Sequence, residues 1–439
     1  MNKAGLFTVC LILIGLSRGN ADDLPVGSNS CWLWNCHFQA TVIPQGHPAF
    51  SAAYSGQNSL STNSELDTSL TATLFMGTRL FPGLELYLDP EVSAGTGFSH
   101  TMGIAGFPNG EIYRVGDPYP SWNIGRCYLQ YTLGLGGEQE TVDDGQNQLA
   151  GKRDVSRLTL VAGKFSLSDF FDDNAFSHDP RNQFLNWALM DNGAWDYAAD
   201  TRGYTWGIMA EFNQQWWAVR LATAMEPTNA NGDVMDLNVL QAHGDNLEVE
   251  GRWMLWQQTG KVRLQAYWNH ADMGNYETTL NTPGDDMDIT KSRQYCSKYG
   301  FGLDLEQAIA GGTGIFCRIG WDDGATESWA FAEIDRTASF GINLDGGLWG
   351  RLKDHAGVAI CVNGLSQAHL DYLKAGGYGF MIGDGNLNYA PEGILEIYYF
   401  FSIQEGLSIS PDYQFIVNPA YNQDRGPVSV FSARLHYEF

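Results

Sequence analysis

VSVFSARLHYEF (428–439) closes the chain, and its alternation governs how everything before it is read. Taken with a period of two, Phe431, Ala433, Leu435, Tyr437 and Phe439 share one face. Ser432, Arg434, His436 and Glu438 share the other. Such a strand fits the wall of a water-filled barrel in lipid, and it also fits one leaf of a soluble sandwich. The aromatic last residue favours the barrel, since outer-membrane barrels commonly end this way.

The opposite end points the same way. Lys3 supplies a short positive region, Leu6 to Leu16 is an apolar run containing Cys10, and Arg18-Gly19-Asn20-Ala21 leads to a small residue before Asp22. This pattern reads as a secretory signal peptide over 1–21, cut after Ala21, followed by a lead-in over 22–36. No other apolar run reaches the ~18 residues that a spanning helix needs. An exported chain of this kind is periplasmic, secreted or a barrel.

Composition favours the barrel. Charged residues make up only 17%, yet mean hydropathy is −0.23, with 51 Gly, 14 Trp, 20 Tyr and 23 Phe. Half-apolar, half-polar strands give that balance, and Trp and Tyr suit the lipid–water interface. Without Lys3 and Arg18, 23 basic residues face 50 acidic ones, a net charge of −27. Nucleic acid is therefore not an expected partner. Cys31 and Cys36 are spaced to close a small disulfide loop in an oxidising periplasm, while Cys127 and Cys317 fall on lipid-facing positions. Cys and His spacings give no metal framework, and no cofactor is expected.

Period-two segments occur sixteen times: 37–43, 68–81, 84–93, 126–135, 157–167, 203–213, 215–226, 246–257, 260–270, 298–309, 314–322, 337–345, 355–365, 393–403, 406–417 and 427–439. Tight turns at Pro82-Gly83, Gln214, Gln258-Thr259, Ala310 to Thr313 and Gln404-Glu405 alternate with long connections at 94–125, 168–202, 227–245, 271–297 and 366–392. Short turns on one rim and long loops on the other are what an outer-membrane barrel requires. The fold expected over 37–439 is thus an all-β, antiparallel transmembrane barrel of about sixteen strands. Residues 136–156 fit least well, as a long connection on the tight-turn rim that leaves the count open by two. A helical turn is expected at Leu365 to Lys374.

A sixteen-stranded barrel leaves an aqueous bore, which an inward loop can narrow. The connection 168–202 is the candidate, because it combines acids with Phe170, Phe171, Phe176, Phe184, Trp187, Trp195 and Tyr197. Asp169, Asp172, Asp173, Asp179 and Arg181 are candidates to line a constriction, with Trp187 or Trp195 as a flat apolar face. Sugars suit such a site: their C–H faces stack on rings and their hydroxyls bond charged groups. Arg79, Glu211, Arg220, Arg252, Arg263, Arg318, Glu396, Arg434 and Glu438 oppose apolar neighbours and are expected to face the lumen. On the lipid face near the midplane an Arg costs ~2–4 kcal/mol. The alternative for each residue is a solvated wall charge, or a ring that cements the loop.

GKFSLSDFFDDNAFSHDPRNQFLNWALMDNGAWDYAADTRGYTWG (163–207) closely resembles the carbohydrate-selective porins of the OprB family. So do GIAGFPNGEIYRVG (103–116), AGGYGFMIGDGNLNY (375–389) and NPAYNQDRGPVSVFSARLHYEF (418–439). The resemblance implies a monomeric sixteen-stranded outer-membrane barrel that passes monosaccharides and related small solutes by facilitated diffusion. It implies no particular sugar-binding residue.

Other readings start from weaker signals. A general diffusion porin shares every barrel feature. A barrel enzyme would need a nucleophile with a base, and His178 beside Asp179 or His436 near Glu438 has no partner serine in a G-x-S-x-G context. A secreted glycoside hydrolase could draw on Asp169, Asp172 and Asp173, although clustering in sequence does not set two carboxylates across a cleft. A calcium-stabilised barrel could use Asp169 to Asp179 or Asp384-Gly385-Asn386, neither of which matches an EF-hand loop. The reading adopted is an outer-membrane porin and not an enzyme.

Overall fold

The computed structural model describes residues 33–112, 118–282, 286–331 and 333–439. The expected signal peptide, most of the lead-in and Cys31 lie outside these residues; Cys36 is described and carries a free thiol.

Alternating apolar and polar residues form strands here because a pleat sends them to opposite solvents, lipid outside and water within. The wall opens with β1 (Trp34–His47), β2 (Glu65–Phe81), β3 (Leu84–Ala94) and β4 (Ser121–Gly134). A separate hairpin follows, β5 (Gln139–Val142) with β6 (Gly151–Asp154). The wall resumes with β7 (Arg157–Phe165), β8 (Thr205–Asn213), β9 (Trp217–Met225), β10 (His243–Leu255), β11 (Gln258–Met273) and β12 (Gln294–Ala310). It ends with β13 (Thr313–Asp322), β14 (Arg336–Asp345), β15 (His355–Gly364), β16 (Glu392–Gln404), β17 (Leu407–Val417) and β18 (Val428–Glu438).

Sixteen of these strands form a closed antiparallel barrel in which, apart from the closing seam, each pairs with the wall strands next to it along the chain. β4 pairs with β7, with Cys127 opposite Lys164, so the β5–β6 hairpin interrupts nothing. The seam is β1 on β18, from Gln39 opposite Glu438 to Gly46 opposite Phe431. Phe439 completes it, exchanging backbone bonds with Phe38 at 3.1 and 3.0 Å. Closure matters because an unpaired backbone group in hydrocarbon costs several kcal/mol, ~2–7 by transfer scales.

The outer face carries Leu264, Ile319, Phe340, Ile360, Phe431 and Leu435, all exposed in the bare chain. Exposed Trp216, Trp256 and Trp349 ring the tight-turn rim, and Trp122, Trp206 and Tyr295 the loop rim. These are the two aromatic girdles of a membrane barrel. Among the described residues no helix is long and apolar enough to cross a membrane.

The sixteen expected segments all fall on barrel strands, with two local differences. The turn between β10 and β11 is Trp256-Gln257 and not Gln258-Thr259. Both residues have positive φ, 52° and 62°, in a hairpin turn that glycine or asparagine would normally mark. The stretch 136–156 is not an extra pair of wall strands, because the β5–β6 hairpin pairs only with itself. The helical turn expected at 365–374 is a helix over Gln367–Lys374.

Candidate functional site

Loop 166–204, between β7 and β8, folds into the barrel instead of into solvent. Phe171, Phe184, Leu185 and Leu189 are fully buried, which removes an apolar surface that a solvated loop could not carry. Burying a loop also buries backbone polar groups, and these need partners. The wall supplies them. Glu248 accepts from Asp172 N at 2.8 Å, Glu306 from Ala175 N at 2.7 Å, and Glu396 from Leu185 N and Asn186 N at 2.5 and 2.9 Å. Arg318 donates to Leu189 O and Ser177 O at 2.8 and 2.6 Å, and Arg434 to Pro180 O and to Gln183 O.

Glycines on the lumenal face make room for the loop. A Cβ at Gly314 would lie 2.1 Å from the Phe176 ring, and one at Gly357 would lie 2.7 Å from Phe184 and 2.3 Å from Tyr398. No side chain fits there, so the ring packs directly on the sheet backbone.

A second connection, described over residues 95–112, meets the first. Glu392 accepts from Ala105 N and Gly106 N at 3.0 and 2.7 Å, while Gln45 and Gln414 both donate to Pro108 O. The loops are joined through Gly110 N to Leu185 O at 2.7 Å and Trp187 N to Phe107 O at 3.0 Å.

Between them remains a polar cavity of about 520 Å³. On its wall Arg126 forks onto Asp169, with Nε to Oδ2 at 2.7 Å and Nη2 to Oδ1 at 2.5 Å. Across it Arg181 lies 3.0 Å from Glu111. Asp173, His178, Asp179 and Asp191 complete the charged ring. Burial pushes the Glu111 and Asp191 carboxyls up, against the pull of Arg181 and of His178 respectively. Burial works to lower His178, but Asp191 and Asp173 prevail and hold it above its usual range. The Phe107 and Trp187 rings stack at 5.3 Å and 14°, and Tyr197 and Phe331 lie beside them. The result is a polar cavity in which charged hydrogen-bonding groups lie beside a packed aromatic cluster, group types that suit a sugar's hydroxyls and C–H faces.

Residues 57–439 match the carbohydrate-selective porin family, OprB family. The chain belongs to the OprB family of carbohydrate-selective porins. The solved structure of Pseudomonas putida OprB at high pH is similar over 92% of this chain and 94% of its own, at 16% identity and a TM-score of 0.67. That of Acinetobacter baumannii OccAB1 is similar over 92% and 96%, at 10% identity and a TM-score of 0.50. At such identities the likeness is one of fold. A search of curated protein sequences finds no match. This OprB-family barrel is an outer-membrane porin for the facilitated diffusion of monosaccharides and related small solutes.

The candidate residues of this porin take different places. Asp169, Asp173, Asp179, Arg181 and Trp187 line the cavity. Asp172 is buried on Arg318, and Trp195 is buried with its Nε1 on Asn246, so these two hold the loop in place. On the wall, Arg220 binds Glu211, Glu248 and Glu250, and Arg263 binds Glu250 and Asp304. Arg252 reaches Glu250, while Glu396, Arg318 and Arg434 clamp the loop. Arg79 pairs with Glu85 near the tight-turn rim, and Glu438 lies exposed on that rim beside His436.

Arg126, Glu111, Tyr204 and Phe107 were not among the candidates. Arg126 shares a face with Tyr128 and Gln130, opposite Cys127 and Leu129, so alternation could have found it. Nothing in the sequence reveals that 105–112 turns inward, because Glu392, Gln45 and Gln414, which hold it, lie far away in the chain.

Proposed function

We propose that the passage between Arg126–Asp169 and the Phe107–Trp187 stack is the sugar-selective constriction of this porin. The observation that carries the reading is the apposition of a bidentate charged pair and a stacked aromatic face within one cavity of about 520 Å³. A pyranose presents hydroxyls at its rim and C–H bonds on its faces, so both surfaces engage it at once. The charges are paired across short distances, which favours neutral polyols over ions of either sign.

The permeant crosses unchanged in this reading, and the side chains of the constriction act by binding and not by covalent chemistry. His178 faces the Asp191 carboxylate at 3.6 Å. A single barrel is the working unit in this reading, since both loops that border the cavity belong to one chain. Its macromolecular surroundings are lipid, and its acidity makes nucleic acid an unsuitable partner.

Single-channel recording of the refolded mature protein in a planar bilayer, with glucose titrated in, tests this. Saturable block of a stable conductance is expected. Conductance that no sugar alters would reduce the passage to a size filter.

A further inference from the structure

The connection between β4 and β7 is longer than the barrel needs, since Gly134 and Arg157 already face each other across the rim. Most other turns on that rim are two or three residues long. The extra chain does not hang into the periplasm. β5 and β6 lift a tip, residues 143–150, back under the bore.

Side chains of the wall hold the tip there. Asn35 Nδ2 donates to Asp144 Oδ1 at 2.8 Å, Gly145 O at 3.1 Å and Gln148 O at 2.8 Å. His37, on the closing seam, lies 3.2 Å from Asp144 Oδ2. Asn147 takes a positive φ of 53°, which asparagine tolerates, and donates to Asp89 Oδ2 at 2.8 Å. Leu149 is 3% exposed, packed in the lumenal core with Tyr87 and Tyr128. A free surface turn would place neither a leucine nor this many bonds inside the wall.

Gln146, Asn147 and Gln148 border the same cavity as Arg126 and Asp169. They also touch its electrostatics. Arg126 Nη1 lies 3.5 Å from Asp89 Oδ2, the oxygen that Asn147 binds, so Asp169, Arg126, Asp89 and Asn147 form one continuous chain. Asp89 Oδ1 and Asn147 Oδ1 are buried without a protein partner.

We propose that the tip 143–150 is a second constriction in series with the first, on the periplasmic side. Its amides form an exit subsite for a neutral polyhydroxylated solute, and Asn147 is a positioning residue that sets Arg126 through Asp89. The inference rests on the sugar-porin reading above and extends it to the exit. Amides suit this place: each offers a donor and an acceptor without charge, so a sugar leaving the charged ring meets partners that bind it weakly enough to release it.

The test replaces Asp143–Ala150 by Gly-Gly. Val142 and Gly151 already face each other, so a two-residue turn closes β5 on β6. Removing one of two constrictions in series should raise single-channel conductance about twofold or more and let maltose swell liposomes nearly as fast as glucose does. A second variant, Asn147→Asp, sets two carboxylates against each other beside Arg126. It should weaken glucose block several-fold while the barrel keeps its heat-modifiable mobility, and Asn147→Gln should restore part of the block.

A wild-type protein that excludes glucose would defeat the sugar-porin reading itself. A wild type that passes glucose, alongside variants with unchanged conductance, size limit and glucose block, would overturn the role of the tip alone.

Discussion

Arg318 is the side chain whose loss should open the passage without unfolding the barrel. It projects from β13 into the lumen and is fully buried. Its Nε lies 3.0 Å from Asp172 Oδ1, and its two terminal nitrogens donate to Leu189 O, Ser177 O and Asp172 O at 2.8, 2.6 and 3.2 Å. Arg318→Met keeps most of the volume and removes every one of these bonds. Taking one member from a buried ion pair costs ~3–5 kcal/mol, because the remaining charge is left unpaired. Burial already pushes the Asp172 carboxyl up, so without Arg318 it takes a proton, which places the cost near the lower end. About 3 kcal/mol is roughly a hundredfold shift in the ratio of seated to released loop. The wall ladders on both sides of β13 do not depend on the guanidinium, so the barrel survives. Single-channel recording should show a larger and noisier conductance with glucose block weakened about tenfold or more, and limited proteolysis should cut within 171–191. A folded variant with wild-type conductance, glucose block and protease resistance would refute the assignment of Arg318 as the main clamp of the loop.

The aromatic face and the charged ring give two further expectations. Trp187→Ala removes the ring that stacks on Phe107, and a loss of about 1 kcal/mol should weaken glucose block about fivefold while ion conductance changes little; equal glucose affinity in wild type and variant would exclude the stack as a sugar face. His178, facing Asp191, Asp173, Asp172 and the opposing Arg318, holds its proton to higher pH in the folded loop than its ordinary 6.5. Its stabilisation is therefore complete below that value and is lost as pH rises through the raised one. Protease sensitivity of 171–191 should climb as pH rises above about 6.5 in wild type and stay flat in His178→Gln; parallel profiles would show that His178 does not hold the loop.

The sequence determined the wall. A pleat has one period, and lipid and water impose opposite demands on its two faces, so Phe431, Leu435 and their counterparts on fifteen other segments mark their strands without reference to anything distant. Chain order then sets the pairing: apart from the β1–β18 seam, and with the β5–β6 hairpin set aside, each antiparallel neighbour is the next wall strand along the chain. Inward charges such as Arg263 and Arg434 were legible for the same reason, and so was the acidic, aromatic character of 168–202. Where local chemistry was silent, reading from sequence failed: the turn at Trp256-Gln257 has no glycine to mark it.

Only the tertiary structure decided what the lumenal charges are for. Facing inward is a property of one strand, but partnership depends on which loop arrives from across the barrel. Arg318 and Glu396 meet loop groups more than a hundred residues away, and this turns candidate selectivity residues into clamps. Arg126 gains its place because Asp169 reaches it directly and Asn147 reaches the Asp89 carboxylate beside it, from two different connections. Those contacts are set by the folding of loops into a shared bore, where every buried polar group must find a partner, and no periodicity along the chain encodes which one it finds.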